Sequence, residues 1–182
     1  MFNRFKSSVA TPHNGFDRNI GNLNFDGAII SVRNKIAYRY DSRSPDIIKI
    51  NGFSGTLSRD IEEVRVFGPN NVFSSRTKEG AKEFLTINKF VGQERMQHLY
   101  QIDTKGIETF SFMENYKQNP LALIESIANL AQNGALKNLP KDQIRLFARE
   151  TINNQFCFVD ELHINGPIPP SRIKHITTIL AK

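Results

Sequence analysis

The sequence predicts an α+β domain, a mixed and mostly antiparallel β core with helices at its periphery, and three observations lead to it. Strand-like segments stand near both ends of the chain and bracket a helical middle. Strands do not alternate regularly with long helices, and neither Gly-x-Gly-x-x-Gly nor Gly-x-x-x-x-Gly-Lys-Ser/Thr occurs, which weighs against a doubly wound nucleotide-binding sheet. The length of 182 residues fits one domain, and 39% apolar against 23% charged residues is enough for a core and too little charge for a disordered chain.

The elements follow in order. Residues 1–26 collect Ser7-Ser8, Thr11-Pro12, Asn14-Gly15 and Gly21-Asn22, turn formers that predict an irregular arm, so the domain is expected to span 27–182. Ala28 to Val32 and Ile36 to Tyr40 read as strands, with Asn34-Lys35 as a turn between them. Ser44-Pro45-Asp46 at one end and Asn51-Gly52 at the other mark both limits of a short helix. Val72 to Ser75 is followed by a helix over Thr77 to Leu85, capped by Thr77. His98 to Asp103 and Ile107 to Phe112 flank Thr104-Lys105-Gly106 and predict a hairpin. Apolar residues at 121, 123, 124, 127, 128, 130 and 131 predict an amphipathic helix opening after Pro120 and closing near Gly134. A second helix is expected from Pro140 to about Thr151, with Ile144, Phe147 and Ala148 inward. Strands from Gln155 to Ile164 and from Ile173 to Leu180 complete the chain.

Composition narrows the chemistry. Cys157 is the single cysteine, so an internal disulfide and a thiolate metal cluster are excluded. His13, His98, His163 and His175 lack the i, i+4 spacing of a zinc helix, and no metal is expected. The net charge of +6 suits phosphates, nucleic acid or an acidic surface without choosing among them. Met1 to Ile20 holds no apolar run of signal-peptide length and no window reaches membrane-helix length, so neither a visible signal peptide nor a membrane partner is expected.

Arg39 lies between Tyr38 and Tyr40, so on a pleated strand it points to the face the two rings do not share. A lone strand arginine is more often a salt-bridged structural residue. The functional alternative is a planar guanidinium that grips a phosphate or carboxylate through two parallel hydrogen bonds.

Tyr38-Arg39-Tyr40-Asp41-Ser42-Arg43-Ser44-Pro45, followed by a short helix and Asn51-Gly52-Phe53, resembles the opening of the mono-ADP-ribosyltransferase family that includes the catalytic chains of pertussis toxin, heat-labile enterotoxin and cholera toxin. Val72-Phe73-Ser74-Ser75 resembles that family's Ser-Thr-Ser strand. Phe156 to Leu162, followed by Ile168-Pro169-Pro170-Ser171-Arg172-Ile173, resembles its catalytic-glutamate segment, with Glu161 on the glutamate. The resemblance covers roughly Ile36 to Leu180.

It implies a fold of the ADP-ribosyltransferase type with an NAD cleft between two small sheets. NAD would be a substrate, and no metal is needed. Breaking the nicotinamide–ribose bond creates an oxocarbenium-like cation, which a carboxylate beside the ribose stabilises. In this reading Glu161, Arg39 and Ser74 are catalytic, and Arg39, Asp41, Ser74, Ser75 and Phe53 surround NAD. Phe53 or Phe73 would stack on nicotinamide, against the plainer alternative that both are core. The expected activity is that of a bacterial toxin or effector that acts in a target-cell cytosol after secretion or injection. The expected acceptor is a target-cell protein, with RNA as the alternative and a delivery or immunity partner beside it; a catalytically impaired NAD-binding module is a further alternative. The pattern departs from the family at Val159, where a Glu or Gln positions the acceptor, and at Phe73, in place of the first Ser. It also lacks a histidine between Gly55 and Asn71, and the disulfide of the secreted chains.

Overall fold

The computed structural model describes residues 27–54, 71–87, 95–133 and 136–181. The expected arm at 1–26 and the turn-rich stretch at 55–70 lie outside the described residues. In chain order the elements are β1 (Ile30–Ser31), β2 (Ile36–Asp41), α1 (Pro45–Asn51), β3 (Asn71–Ser75), α2 (Lys78–Ile87), β4 (Arg95–Asp103), β5 (Thr109–Ser111), α3 (Phe112–Gln118), α4 (Pro120–Asn133), α5 (Lys141–Thr151), a π-helical turn (Ile152–Cys157), β6 (Glu161–Asn165), a 3-10 turn (Pro170–Arg172) and β7 (Ile173–Ala181). The fold is α+β.

The seven strands of the described residues form one sheet in the order β1-β5-β6-β3-β2-β4-β7, with every pairing among them antiparallel. The expected pair of small sheets is therefore corrected to one sheet with two wings. The wing β1-β5-β6-β3 and the wing β2-β4-β7 meet through a single residue pair, Tyr38 opposite Ser75. Two cores lie on opposite faces of the sheet, and the second draws residues from both wings. Phe110 and Phe112 pack with Leu123, Ile127, Ile144 and Ile152 of the helices. On the other side Ala37, Val72, Tyr100, Ile102, Leu162 and Ile164 pack with Ile48 of α1, Phe53 and Ile168. Alternation along β6 sends Leu162 and Ile164 into the second cluster and Glu161, His163 and Asn165 to the opposite face. All five β6 side chains are buried, which makes it a central strand covered on both faces.

Several local expectations hold because their signals act on the nearby backbone. Helix α1 begins at Pro45 and ends against Gly52, whose φ of +63° is the left-handed region. The Thr77 hydroxyl accepts from the Gly80 amide at 2.9 Å, the expected cap of α2. Gly52 also lets two main chains meet: a Cβ there would stand 2.2 Å from the Ile168 carbonyl oxygen, beside the bridge in which Phe53 and Ile168 exchange main-chain hydrogen bonds of 2.9 and 2.7 Å. Gly52→Ala therefore combines left-handed strain with a backbone clash. It is expected to cost about 2 kcal/mol or more, and so to lower the thermal midpoint by roughly 4–8 °C. Gly106→Ala, at φ +77° with no neighbour within 4 Å, carries the strain alone and is expected to shift the midpoint less.

Other expectations fail for reasons of pairing. Strands β4 and β5 do not form a hairpin, since β4 is held on both edges by β2 and β7, and β5 lies in the other wing. The turn between them docks on the Asn34-Lys35 crossing, where the Thr104 amide donates to the Lys35 carbonyl at 3.0 Å and the Thr104 hydroxyl to the Asn34 carbonyl at 2.7 Å. The same crossing separates β1 from β2, so Asn34-Lys35 is not a hairpin turn. Phe112 opens helix α3 instead of ending a strand, with Ser111 as its cap accepting from the Glu114 amide at 3.2 Å. Gln155 to Phe158 is not strand: Phe156 stacks on Phe112 with 4.2 Å between ring centroids, and β6 begins only at Glu161. Phe147 of α5 is 46% exposed and does not turn inward, although Ile144 and Ala148 do.

Candidate active site

Strand β2 and the bend that follows it bring two arginines onto one carboxylate. Arg39 Nε donates to Asp41 Oδ2 at 3.1 Å, and Arg43 takes both Asp41 oxygens, Nε to Oδ1 at 2.8 Å and NH2 to Oδ2 at 2.7 Å. A fork of this kind fits a carboxylate edge to edge. Both guanidinium carbons also stand over the Phe53 ring, at 5.5 Å for Arg39 and 5.3 Å for Arg43. Phe53 is 1% exposed and packs edge-on against Tyr100, so it is core beneath the arginines and not an open stacking face. Asp41 is the anchor of the pair. Tyr100 completes the frame, its hydroxyl donating to the Arg43 carbonyl at 2.8 Å.

Burial alone would raise the Asp41 pKa, but the Arg43 hydrogen bond and the charges of Arg39 and Arg43 outweigh it and hold the group at about 2, against 3.8 for a free carboxyl. A pKa depressed by folding stabilises the fold above the unfolded value, and that stability is lost as pH falls through the folded value. The expected result is that Asp41→Asn is less stable than the parent at pH 7, by about 2 kcal/mol from the shift alone. The difference should close between about pH 4 and pH 2. Denaturant unfolding of both proteins across that range measures it.

Strands β3 and β6 carry the second group. Ser75 pairs with Glu161 and Ser74 with Leu162. Cross-strand partners share a face, so Ser75 stands beside Glu161 while Ser74 faces the core that contains Leu162. Both hydroxyls are buried and bonded to main chain: Ser74 donates to the Leu162 carbonyl at 2.9 Å, and Ser75 to the Val159 carbonyl at 2.7 Å while accepting from the Thr77 amide at 3.1 Å. The Glu161 side chain is 7% exposed, and its Oε1 lies 2.6 Å from His163 Nε2. His163, fully buried, is the site residue that sequence reasoning missed. The signal was present, because residues i and i+2 of a strand share a face.

Tyr38, Ser75 and Glu161 thus form a row across β2, β3 and β6. Arg39, the next residue after Tyr38, points to the other side of β2 and sends NH1 to the Phe73 carbonyl at 2.7 Å, onto the main chain of β3. Phe73 in turn packs its ring against His163 at 4.7 Å. Arg39, Phe73, His163 and Glu161 are therefore joined in series over the joint between the wings. Val159 is 1% exposed in the turn before β6 and offers no polar atom from its side chain. Asp160 is bound to Arg76 and so does not take that place. Burial, followed by the Asp160 charge, pushes the Cys157 thiol up to about 11, so it is a thiol at neutral pH and a poor nucleophile.

Among the described residues no group of three or more His, Cys, Asp or Glu side chains could hold a metal ion. No helix among them is long and apolar enough to cross a membrane. No protein-family model matches the chain, and no curated protein matches it. Among solved structures it is similar to a chain described as "CARDS toxin, nicked", at 17% identity and a TM-score of 0.45, over 81% of this chain and 30% of that one. A likeness of that extent assigns neither family nor chemistry.

Proposed function

We propose that the protein is a mono-ADP-ribosyltransferase that moves ADP-ribose from NAD to a macromolecular acceptor and releases nicotinamide. One observation carries the reading. The residues that match the transferase pattern, Arg39, Ser74-Ser75 and Glu161, occupy three neighbouring strands at one joint, with the Arg39 guanidinium on the main chain of β3 and Ser75 opposite Glu161. The fit to NAD is chemical. Arg39 has five N–H donors, of which Nε and NH1 hold the protein, and its side chain is 28% exposed, which suits a partner for the pyrophosphate.

In the reaction the bond from ribose C1′ to the nicotinamide nitrogen breaks and its electron pair leaves with nicotinamide. A lone pair of the acceptor forms the new bond to C1′, and the acceptor's proton passes to solvent. Glu161 stabilises the positive charge that develops on the ribose, and His163 holds one of its carboxylate oxygens. Ser75 and Ser74 fix the strands that carry the site. Within this reading the protein is a bacterial toxin or effector delivered to a target cell, and its acceptor is a protein.

A catalytically impaired NAD-binding module is the second reading, favoured by the coverage of Glu161 and by Val159. Incubation with labelled NAD and a cell lysate, with calorimetry of NAD alone, separates the two. Transfer of label supports the enzyme, and binding without turnover supports the module. Label removed by RNase instead of protease would assign the acceptor to RNA. Absence of both binding and label transfer would overturn the NAD reading.

A further inference from the structure

We propose that Arg76 is a positioning residue for Glu161, fixing the register at which β6 begins by clamping Asp160 to the end of β3. The inference rests on the transferase reading for its catalytic consequence and on the geometry alone for the clamp.

Arg76 follows Ser75 and Asp160 precedes Glu161, so the clamp is the next rung beyond the Ser75–Glu161 pair. It has a main-chain half, the Arg76 amide donating to the Asp160 carbonyl at 3.1 Å. Its side-chain half places Nε at 2.8 Å and NH2 at 2.7 Å from Asp160 Oδ1. The remaining edge of the guanidinium reaches Glu114 Oε1 of α3 at 2.9 Å, so one cation is shared by two carboxylates from different elements. The three side chains are 18 to 34% exposed, and solvent screens them only in part.

The clamp has something to hold. Asp160 sits at φ +49°, a left-handed conformation that a non-glycine residue adopts at a cost. The turn it closes is pressed by α2, where a Cβ on Gly80 would stand 2.1 Å from the Val159 carbonyl oxygen. Strands β3 and β6 have only five residues each. A slip of one residue in so short a ladder would carry Glu161 and His163 together to the opposite face, away from Ser75 and into the core that holds Leu162. Arg76 opposes that slip without touching the reacting atoms.

The test uses the full chain with 15N-labelled histidine. The His163 Nε2 signal, assigned by its loss in His163→Gln, reports the placement of the Glu161–His163 pair against the Phe73 and Phe112 rings, and label transfer from NAD reports catalysis. Arg76→Ala is expected to move the His163 signal and to lower kcat about 10- to 100-fold, with KM for NAD changed less than twofold. Asp160→Asn is expected to act in the same direction, and Arg76→Lys to restore part of the rate. If Arg76→Ala does not fold, Arg76→Lys and Asp160→Asn decide the matter by the same two readouts. An unmoved His163 signal in a folded variant overturns the proposal, and so does a moved signal with an unchanged kcat. Should the parent transfer no label while the signal moves in the variants, the transferase reading falls and the positioning of Glu161 by Arg76 stands.

Discussion

Glu161→Gln is expected to lower ADP-ribose transfer from NAD by a factor of about 10² to 10³, the usual cost of removing one group aimed at transition-state charge. At 1.4 kcal/mol per tenfold that is about 3–4 kcal/mol of transition-state stabilisation. The substitution removes charge and almost nothing else. Gln keeps the length of the side chain and an oxygen that can accept from His163 Nε2, so the 2.6 Å contact has a replacement and the buried site is not left open. The thermal midpoint should therefore stay within a few degrees of the parent while the rate collapses. Labelled-NAD transfer measured beside thermal unfolding makes the comparison. A Gln variant that retains the parental rate would remove Glu161 from the mechanism.

How far the sequence foretold this arrangement depended on the range of the interaction that decides each element. Helix α1 was legible because Pro45 and Gly52 act on their own backbone, and α2 because Thr77 caps it three residues on. The absent hairpin at Thr104 to Gly106 shows the opposite case. The turn is there, but which strand lies beside β4 is settled by β2 and β7, partners remote in sequence. Alternation misled at Gln155 to Phe158, where Phe156 and Phe158 mimic strand period while Phe156 is held by the Phe112 ring and Phe158 is 59% exposed. Helix α3 had a readable signal, the Ser111-x-x-Glu114 spacing, of which the Ser111 cap forms, hidden by the aromatic run around it.

The site divides along the same line. The motif residues Arg39, Ser74, Ser75 and Glu161 could be named in advance because their types and order are local facts. What could not be read was which side of the sheet each would occupy. Register decides that, and it places Ser75 beside Glu161 and turns Ser74 to the core. His163 and Arg76 were passed over for a related reason: each owes its place to a partner on another residue, Glu161 for one, Asp160 and Glu114 for the other.

Arg39→Lys is the second large effect expected, and it separates charge from shape. Lysine keeps the positive charge but has one compact ammonium where arginine has a planar fork. A single nitrogen cannot replace Nε on Asp41 and NH1 on the Phe73 carbonyl and still offer a donor edge to a phosphate. Hydrogen bonds to a charged group contribute about 1.5–3 kcal/mol, so KM for NAD should rise about 10- to 100-fold. The phosphate grip is made in ground and transition state alike, and kcat should fall much less than KM rises. The fold should tolerate the change, because Arg43 still holds both oxygens of Asp41. A loss of about 1 kcal/mol, or roughly 2–4 °C in the midpoint, is expected. Steady-state kinetics over NAD concentration decide the point: a folded Arg39→Lys protein with parental KM would leave Arg39 as a brace between β2 and β3 and move the pyrophosphate contact elsewhere.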